Sequence, residues 1–310
     1  MGTPALWAVF NAFVIAALAL DLGTHRRAHR ISFSEAAVWS TVWVLLSLAF
    51  CLWIFVTHGR GPALEFLTGY VLEKSLSLDN IFVFLLVFRA FGVEASLQHR
   101  VLHWGLLGAL VLRGTMIGIG TALVQRFAWV LYPFGAFLLI SGVHLLWRGQ
   151  RDFRPEDNPV LRWVRRVLPI SPRPAHQTFF VVEHGRRMAT SLFLALLVIE
   201  FTDLIFAMDS IPAVFGITRD PVIVYSSNVC AILGLRAFYF LLAGALPYFR
   251  YLDAGISAVL IFVGAKMLGE PWLHLPTLQA LGMICLILGV AIGASILAAK
   301  RTHQNDGQIH

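Results

Sequence analysis

The sequence predicts an all-α fold: a polytopic membrane helix bundle of about nine transmembrane helices containing inverted three-helix repeats. Three observations predict it. First, 58% of the 310 residues are hydrophobic and only 13% are charged, with a mean hydropathy of +0.76, whereas soluble domains use roughly 45–50% apolar residues. Second, the apolar residues fall in runs long enough to cross a bilayer, and the cations fall between them. Third, a pair of acids inside such a run, Glu73 and Asp79, recurs at the same spacing as Asp203 and Asp209.

A helix needs about 20 mostly apolar residues to cross the hydrocarbon. The expected spans are 4–22, 38–57, 63–88, 101–124, 127–147, 189–217, 222–246, 252–269 and 276–299. Short alternating segments, the mark of a membrane β-barrel, are absent from the sequence. The first run has no cationic stretch before it, and Arg26 and Arg27 follow it. It therefore reads as a retained span rather than a cleaved signal peptide. The expected organisation is two helices in 1–62, a first three-helix repeat in 63–147, an Arg- and Pro-rich cytoplasmic loop in 148–188, a second repeat in 189–269, and a last helix with a tail in 270–310. Within the loop, Arg162, Trp163, Arg165 and Arg166 suit an interfacial helix near 161–168.

Cytoplasmic loops are enriched in Lys and Arg. One set of alternate loops holds Arg26, Arg27, Arg30, Arg89, Arg100, the nine arginines from Arg148 to Arg187, Arg250, Lys300 and Arg301; the other holds Arg60, Arg126 and Arg219. This asymmetry places the amino terminus outside and the carboxyl terminus in the cytoplasm, which requires an odd number of spans. The net charge of +7 is thereby accounted for by loops facing the cytoplasm, and no nucleic-acid partner is needed. Cys51, Cys230 and Cys285 lie in different spans and form no CxxC pair, so neither a disulfide framework nor a thiol redox motif is indicated.

A charged side chain at the centre of a membrane helix costs about 2.5–3.5 kcal/mol on insertion scales, which makes a duplicated acid pair a functional-site hypothesis. The two motifs open the third and sixth spans. An offset of three crossings reverses direction, so the halves are expected to be inverted repeats facing each other near the midplane. Leu112-Arg113 after the first motif and Leu235-Arg236 after the second extend the repeat. The candidate metal-site residues are Glu73, Asp79, Asn80, Glu200, Asp203 and Asp209. Six residues of unbroken helix turn the two acids of a motif to different faces. A helix break is expected at Pro212, which cannot donate to the Met208 carbonyl. Carboxylate, amide and carbonyl oxygens suit hard divalent cations. No catalytic residues are assigned.

The competing structural expectation is that Glu73 or Asp203 pairs with Arg113 or Arg236 across helices. Both arginines read as counter-charges, Lys74 and Lys266 as snorkelling side chains, and Glu65 and Asp21 as interfacial. Asn228, Ser226 and Ser227 read as helix–helix hydrogen-bonding residues. His103 and His144 read as buried partners rather than ligands. Trp39, Trp43, Trp129, Tyr132, Trp147 and Trp272 suit aromatic belts.

The stretches Phe66 to Val83, Val198 to Phe215 and Ser227 to Gly244 resemble the TerC family of integral membrane proteins, in its Alx-like branch. The resemblance runs over nearly the whole chain. It implies a bacterial inner-membrane protein of the LysE-type transporter superfamily, linked to manganese export and, through the family name, to tellurite resistance. Alx-like members have also been described as membrane-bound redox modulators. Carried over residue by residue, the family motif falls on the same Glu73, Asp79, Asn80, Glu200, Asp203 and Asp209.

The expected function is export of Mn²⁺ or another hard divalent cation by alternating access, with the cation as substrate, no permanently bound cofactor, and lipids as the surroundings. Expelling two charges against 100 mV costs about 4.6 kcal/mol, and exchange for two protons removes that cost. Two other classes were weighed. An intramembrane aspartyl protease would use two membrane aspartates as acid and base, but no GxGD is present. A non-transporting stress-resistance scaffold would dock through the Arg-rich loop.

Overall fold

The computed structural model describes residues 4–24, 32–148, 169–171, 178–183, 185–243, 251–269, 272 and 275–306. Ten α-helices carry nearly all of this: α1 (Pro4–Thr24), α2 (Phe33–His58), α3 (Arg60–Ala90), α4 (Ala95–Arg126), α5 (Leu131–Arg148), α6 (Ser191–Phe215), α7 (Pro221–Leu233), α8 (Leu235–Leu242), α9 (Leu252–Gly269) and α10 (Thr277–Asp306). A helix lies in every segment expected to span, with α7 and α8 sharing the 222–246 segment. By length and composition α2, α4, α6, α9 and the Thr277–Ala298 part of α10 can each cross a membrane, and the bent α7–α8 pair makes a sixth. The protein is therefore an all-α, multi-pass integral membrane protein.

Local chemistry sets the helix ends. Ser32 caps α2, its hydroxyl accepting from the Glu35 N–H at 3.2 Å. Gly59, at φ 89°, lets α2 run almost directly into α3, because that left-handed backbone is costly for any residue with a Cβ. Asp220 caps α7 by accepting from the Val222 N–H at 2.9 Å, and Pro221 fills the first helical position, where a missing N–H costs nothing.

Two expectations about continuity are corrected. Helix α6 runs unbroken through Pro212, since a proline near a helix end forfeits one hydrogen bond while its flanking turns stay packed. The bend lies instead in the next span, where α7 and α8 meet at 44° around Gly234. A Cβ there would stand 3.0 Å from both Lys74 Nζ and Trp43 Cβ. Lys74 does not snorkel either: it donates to the Ala231 carbonyl at 3.3 Å and lies over the Phe238 ring at 4.7 Å. Carbonyls at the end of α7 lack intrahelical partners, and the ammonium satisfies one. Lys266 does the same for the Gly216 carbonyl after α6, at 2.8 Å.

Between the halves the sequence conceals a hairpin. Phe180–Glu183 (β1) pairs antiparallel with Arg186–Ala189 (β2), and Gly185, immediately before β2, has φ 75°, a conformation that glycine adopts without cost. The interfacial helix expected near 161–168 lies outside the described residues.

Helix α3 contributes to all three apolar clusters. Leu72 joins Leu138, Ile211 and Val263, Ile81 joins Val101, Val198 and Tyr239, and Phe66 joins Phe10, Trp43 and Cys230. Trp43 is buried here rather than interfacial, whereas Trp129, Trp147 and Trp272 are exposed. Large apolar side chains on the outer faces, among them Val111 and Ile119 of α4 and Leu286 and Val290 of α10, are exposed. That is the surface a lipid-facing bundle presents.

Candidate functional site: a buried acid–arginine–amide cluster

Glu73 lies near the middle of α3 and is 0% exposed; Asp203 lies near the middle of α6 and is 2% exposed. Arg113 of α4 joins them. Its Nη1 donates to Glu73 Oε2 at 2.7 Å, while Nε and Nη2 donate to the two Asp203 oxygens at 3.0 and 2.8 Å. This bidentate fork is the geometry for which a planar guanidinium suits carboxylates better than an ammonium does. Nη1 also lies 3.5 Å from the Ser210 hydroxyl, to which it donates.

Two amides complete the shell. Asn80 Nδ2 donates to Asp203 Oδ1 at 3.1 Å, and Asn228 Nδ2, from α7, donates to Glu73 Oε1 at 2.6 Å. With a carboxylate facing each amide, only the NH₂ group can point at it, so the amide orientations are determined by electrostatics. The amide oxygens of Asn80 and Asn228 are then left buried and without donors, as are Glu200 Oε2 and Asp209 Oδ1.

Helical spacing explains which residues meet. On α3, Glu73 and Asn80 are seven apart, as are Asp203 and Ser210 on α6, and seven residues bring side chains back to one face. The duplicated unit that builds the cluster is thus the acid and the polar residue seven on, not the six-residue acid pair. Asp209 turns away to face the Ser141 hydroxyl of α5. The Asp79 side chain lies outside the described residues. Glu200, one turn before Asp203, points at α4, where a Cβ on Gly108 would collide with its carboxylate. Its neighbourhood is a small cavity lined by Gly105, Ala109, Glu200, Asp203 and Arg236 among others, with room for a water-sized occupant.

Of the six residues expected to form one site, the structure joins Glu73 and Asp203 through Arg113 and adds Asn80 through its bond to Asp203. It places Glu200 on the adjoining cavity and Asp209 elsewhere. The interhelical pairing weighed as the alternative is what Glu73 and Asp203 make. Among the described residues no three His, Cys, Asp or Glu side chains are arranged to hold a metal ion. Asn228, expected as a helix–helix hydrogen-bonding residue, makes such a bond to Glu73 of α3, and that bond makes it part of the cluster. A signal existed: an amide in a buried span must find a polar partner.

Gly108→Ala tests the Glu200 placement. The extra methyl displaces the carboxylate with little change in stability, because the end of a glutamate side chain moves more easily than backbone. A structure of the variant and its thermal unfolding check it.

An all-α bundle that buries ion-paired carboxylates at the centre of its spans is an integral membrane protein with a polar core. The model described as "Integral membrane protein TerC family" matches residues 58–304, and the chain belongs to that family. It is 48% identical over 307 residues to "Uncharacterized membrane protein STKORF319" of Myxococcus xanthus, covering 99% of this chain and 96% of that one. It is 44% identical over 318 residues to "Putative membrane-bound redox modulator Alx" of Escherichia coli strain K12, covering 99% and 98%. An "Uncharacterized membrane protein" of Rickettsia bellii is 35% identical over 292 residues, covering 94% and 97%. No solved structure matches the chain.

Proposed function

We propose that this protein exports a hard divalent cation, Mn²⁺ foremost, across a bacterial inner membrane by alternating access, with the amino terminus outside and the carboxyl terminus in the cytoplasm. The observation that carries the proposal is the pair of buried amide oxygens without donors, on Asn80 and Asn228, whose amide groups bond to carboxylates held mid-span. A buried acceptor left unmade costs about 1–3 kcal/mol, and a cation arriving among these oxygens recovers that cost. Oxygen-only acceptors select Mn²⁺, Mg²⁺ or Ca²⁺ over softer metals. Glu73, Asp203, Asn80 and Asn228 are assigned to the cation, and Asp79, Glu200 and Asp209 to its path.

Packing supports inverted repeats of α3–α5 and α6–α9. Helix α3 packs on α7 as α6 packs on α4, α3 meets α6, and α5 meets α9, which is the pairing a two-fold axis in the membrane plane generates. All nine spans crossing the membrane then account for the termini lying on opposite sides.

The export reading predicts that cells lacking the protein accumulate manganese. Wild type restores the normal content, and Asp203→Asn at equal expression leaves it raised several-fold. Equal manganese in all strains refutes the export reading. The names of the Escherichia coli and related proteins point to a redox-modulating role; in that role as a scaffold the protein tolerates Asp203→Asn but fails on deletion of residues 150–187.

A further inference from the structure

We infer that Arg113 is a tethered stand-in for the transported cation: it occupies the acidic site when the site is empty and withdraws to Glu200 when the ion arrives. The inference rests on the export reading above and concerns how the empty carrier returns. Two carboxylates without a counter-charge are poorly tolerated in low dielectric, so an empty site holding only Glu73 and Asp203 would resist passage through an occluded state. The Arg113 guanidinium prevents this, contacting both acids with three nitrogens at 2.7–3.0 Å. It is held by the same two side chains that a cation would need. The two Asn80 and Asn228 amide oxygens beside it, each on a residue 1% exposed, accept nothing from it, because a guanidinium of this geometry is consumed by the carboxylates.

There is also a partner toward which the arginine can move, across a cavity with room for a water-sized occupant. Leu102, Gly105, Leu106 and Ala109 of α4 line the cavity, and Arg113 lies one turn beyond Ala109 on the same helix face. Helical side chains lean toward the amino terminus of their helix, which is the direction of the cavity. Asp203 and Glu200 both stand on its wall, three residues apart on one face of α6. Glu200 Oε2 is buried without a donor, so a partner awaits the displaced guanidinium one helical turn from the one it leaves. Charge supports the exchange. Glu73, Asp203 and Glu200 oppose Arg113 and Arg236, which also lines the cavity, so the empty core carries one net negative charge and the loaded core one net positive charge. Neither state strays far from neutrality, and the return leg needs no coupling proton.

The test uses purified protein in proteoliposomes with Mn²⁺ as the probe, comparing net efflux with Mn²⁺–Mn²⁺ exchange. Arg113→Gln loses net efflux but keeps exchange, because only the empty return requires the arginine. Its apparent affinity for Mn²⁺ rises about tenfold, since the competing arginine-filled state no longer depletes the binding-competent one. Arg113→Lys, which retains the charge, recovers part of the net efflux. Glu200→Gln weakens Mn²⁺ binding in the wild-type background but not beside Arg113→Gln. Equal loss of both fluxes in Arg113→Gln with unchanged or weaker affinity overturns the inference. So does a Glu200→Gln protein with wild-type affinity, an arm that holds even where Arg113→Gln fails to fold. A wild-type protein that neither binds nor moves Mn²⁺ overturns the export reading instead.

Discussion

Arg113→Met lowers the unfolding free energy in detergent by about 3–5 kcal/mol, and the triple replacement Arg113→Met, Glu73→Gln, Asp203→Asn returns most of it. The single change strands two buried carboxylates that accept three of their hydrogen bonds from this guanidinium. Removing all three charges together takes away both the attraction and the desolvation cost that it offsets, and these terms nearly cancel for buried ion networks. The triple variant nonetheless moves no Mn²⁺, because the proposed acceptors have lost their charge. Chemical denaturation of the variants, paired with proteoliposome flux, separates what the cluster does for the fold from what it does for transport. Should the triple variant stay as unstable as the single one, packing around Arg113 rather than charge dominates.

Gly264→Ala costs about 1–3 kcal/mol through overpacking, and Gly264→Leu abolishes the folded state. A Cβ at Gly264 of α9 would stand 2.7 Å from both the Gly135 carbonyl oxygen and the Leu139 nitrogen of α5, and one at Gly142 would stand 2.8 Å from the Ser257 carbonyl oxygen. These obstacles are backbone, so relief requires the helices to separate along their length. Within a membrane such close approach is a principal source of helix association, since lipid offers no hydrophobic drive. The control is on α10. Gly282, Gly289 and Gly293 face open space, and alanine there is neutral or slightly stabilising by helix propensity. Thermal unfolding of the five single-alanine variants discriminates the two classes, and equal losses at Gly264 and Gly289 would refute the interface.

The same contrast marks how far sequence reasoning reached. Each apolar run became a helix because in a bilayer the backbone must satisfy itself internally, so length and composition suffice to locate spans. The span 252–269 coincides with α9, and α6 lies within 189–217. The hairpin at 180–189 was missed because its Val181-Val182 and Met188-Ala189 runs are short and lie inside an Arg- and Pro-rich segment. Pro212 misled for a related reason. A proline's lost hydrogen bond is a local cost, and whether it breaks the helix depends on neighbours that local sequence does not name.

For the site, the residue types were legible and their grouping was not. Carboxylates in oil announce a polar core wherever they stand, so Glu73 and Asp203 could be picked out by composition alone. That Asn80, Ser210 and Asn228 join them while Asp209 turns to Ser141 depends on which faces of α3, α4, α6 and α7 meet. Arg113 was anticipated as a counter-charge. Its simultaneous hold on acids from two other helices depends on four elements closing around one point.

The amino-acid order by itself determined the bilayer as the solvent, the location of the apolar helical segments and the identity of the ionisable groups, because burial in lipid penalises each of these residue by residue. Only the tertiary structure decided that one guanidinium pairs with both Glu73 and Asp203, that the amide oxygens of Asn80 and Asn228 are left without donors, and that the bend falls at Gly234. Those outcomes arise from contacts between residues 40 to 155 positions apart, and the energy of such a contact belongs to the pair and its geometry rather than to either residue.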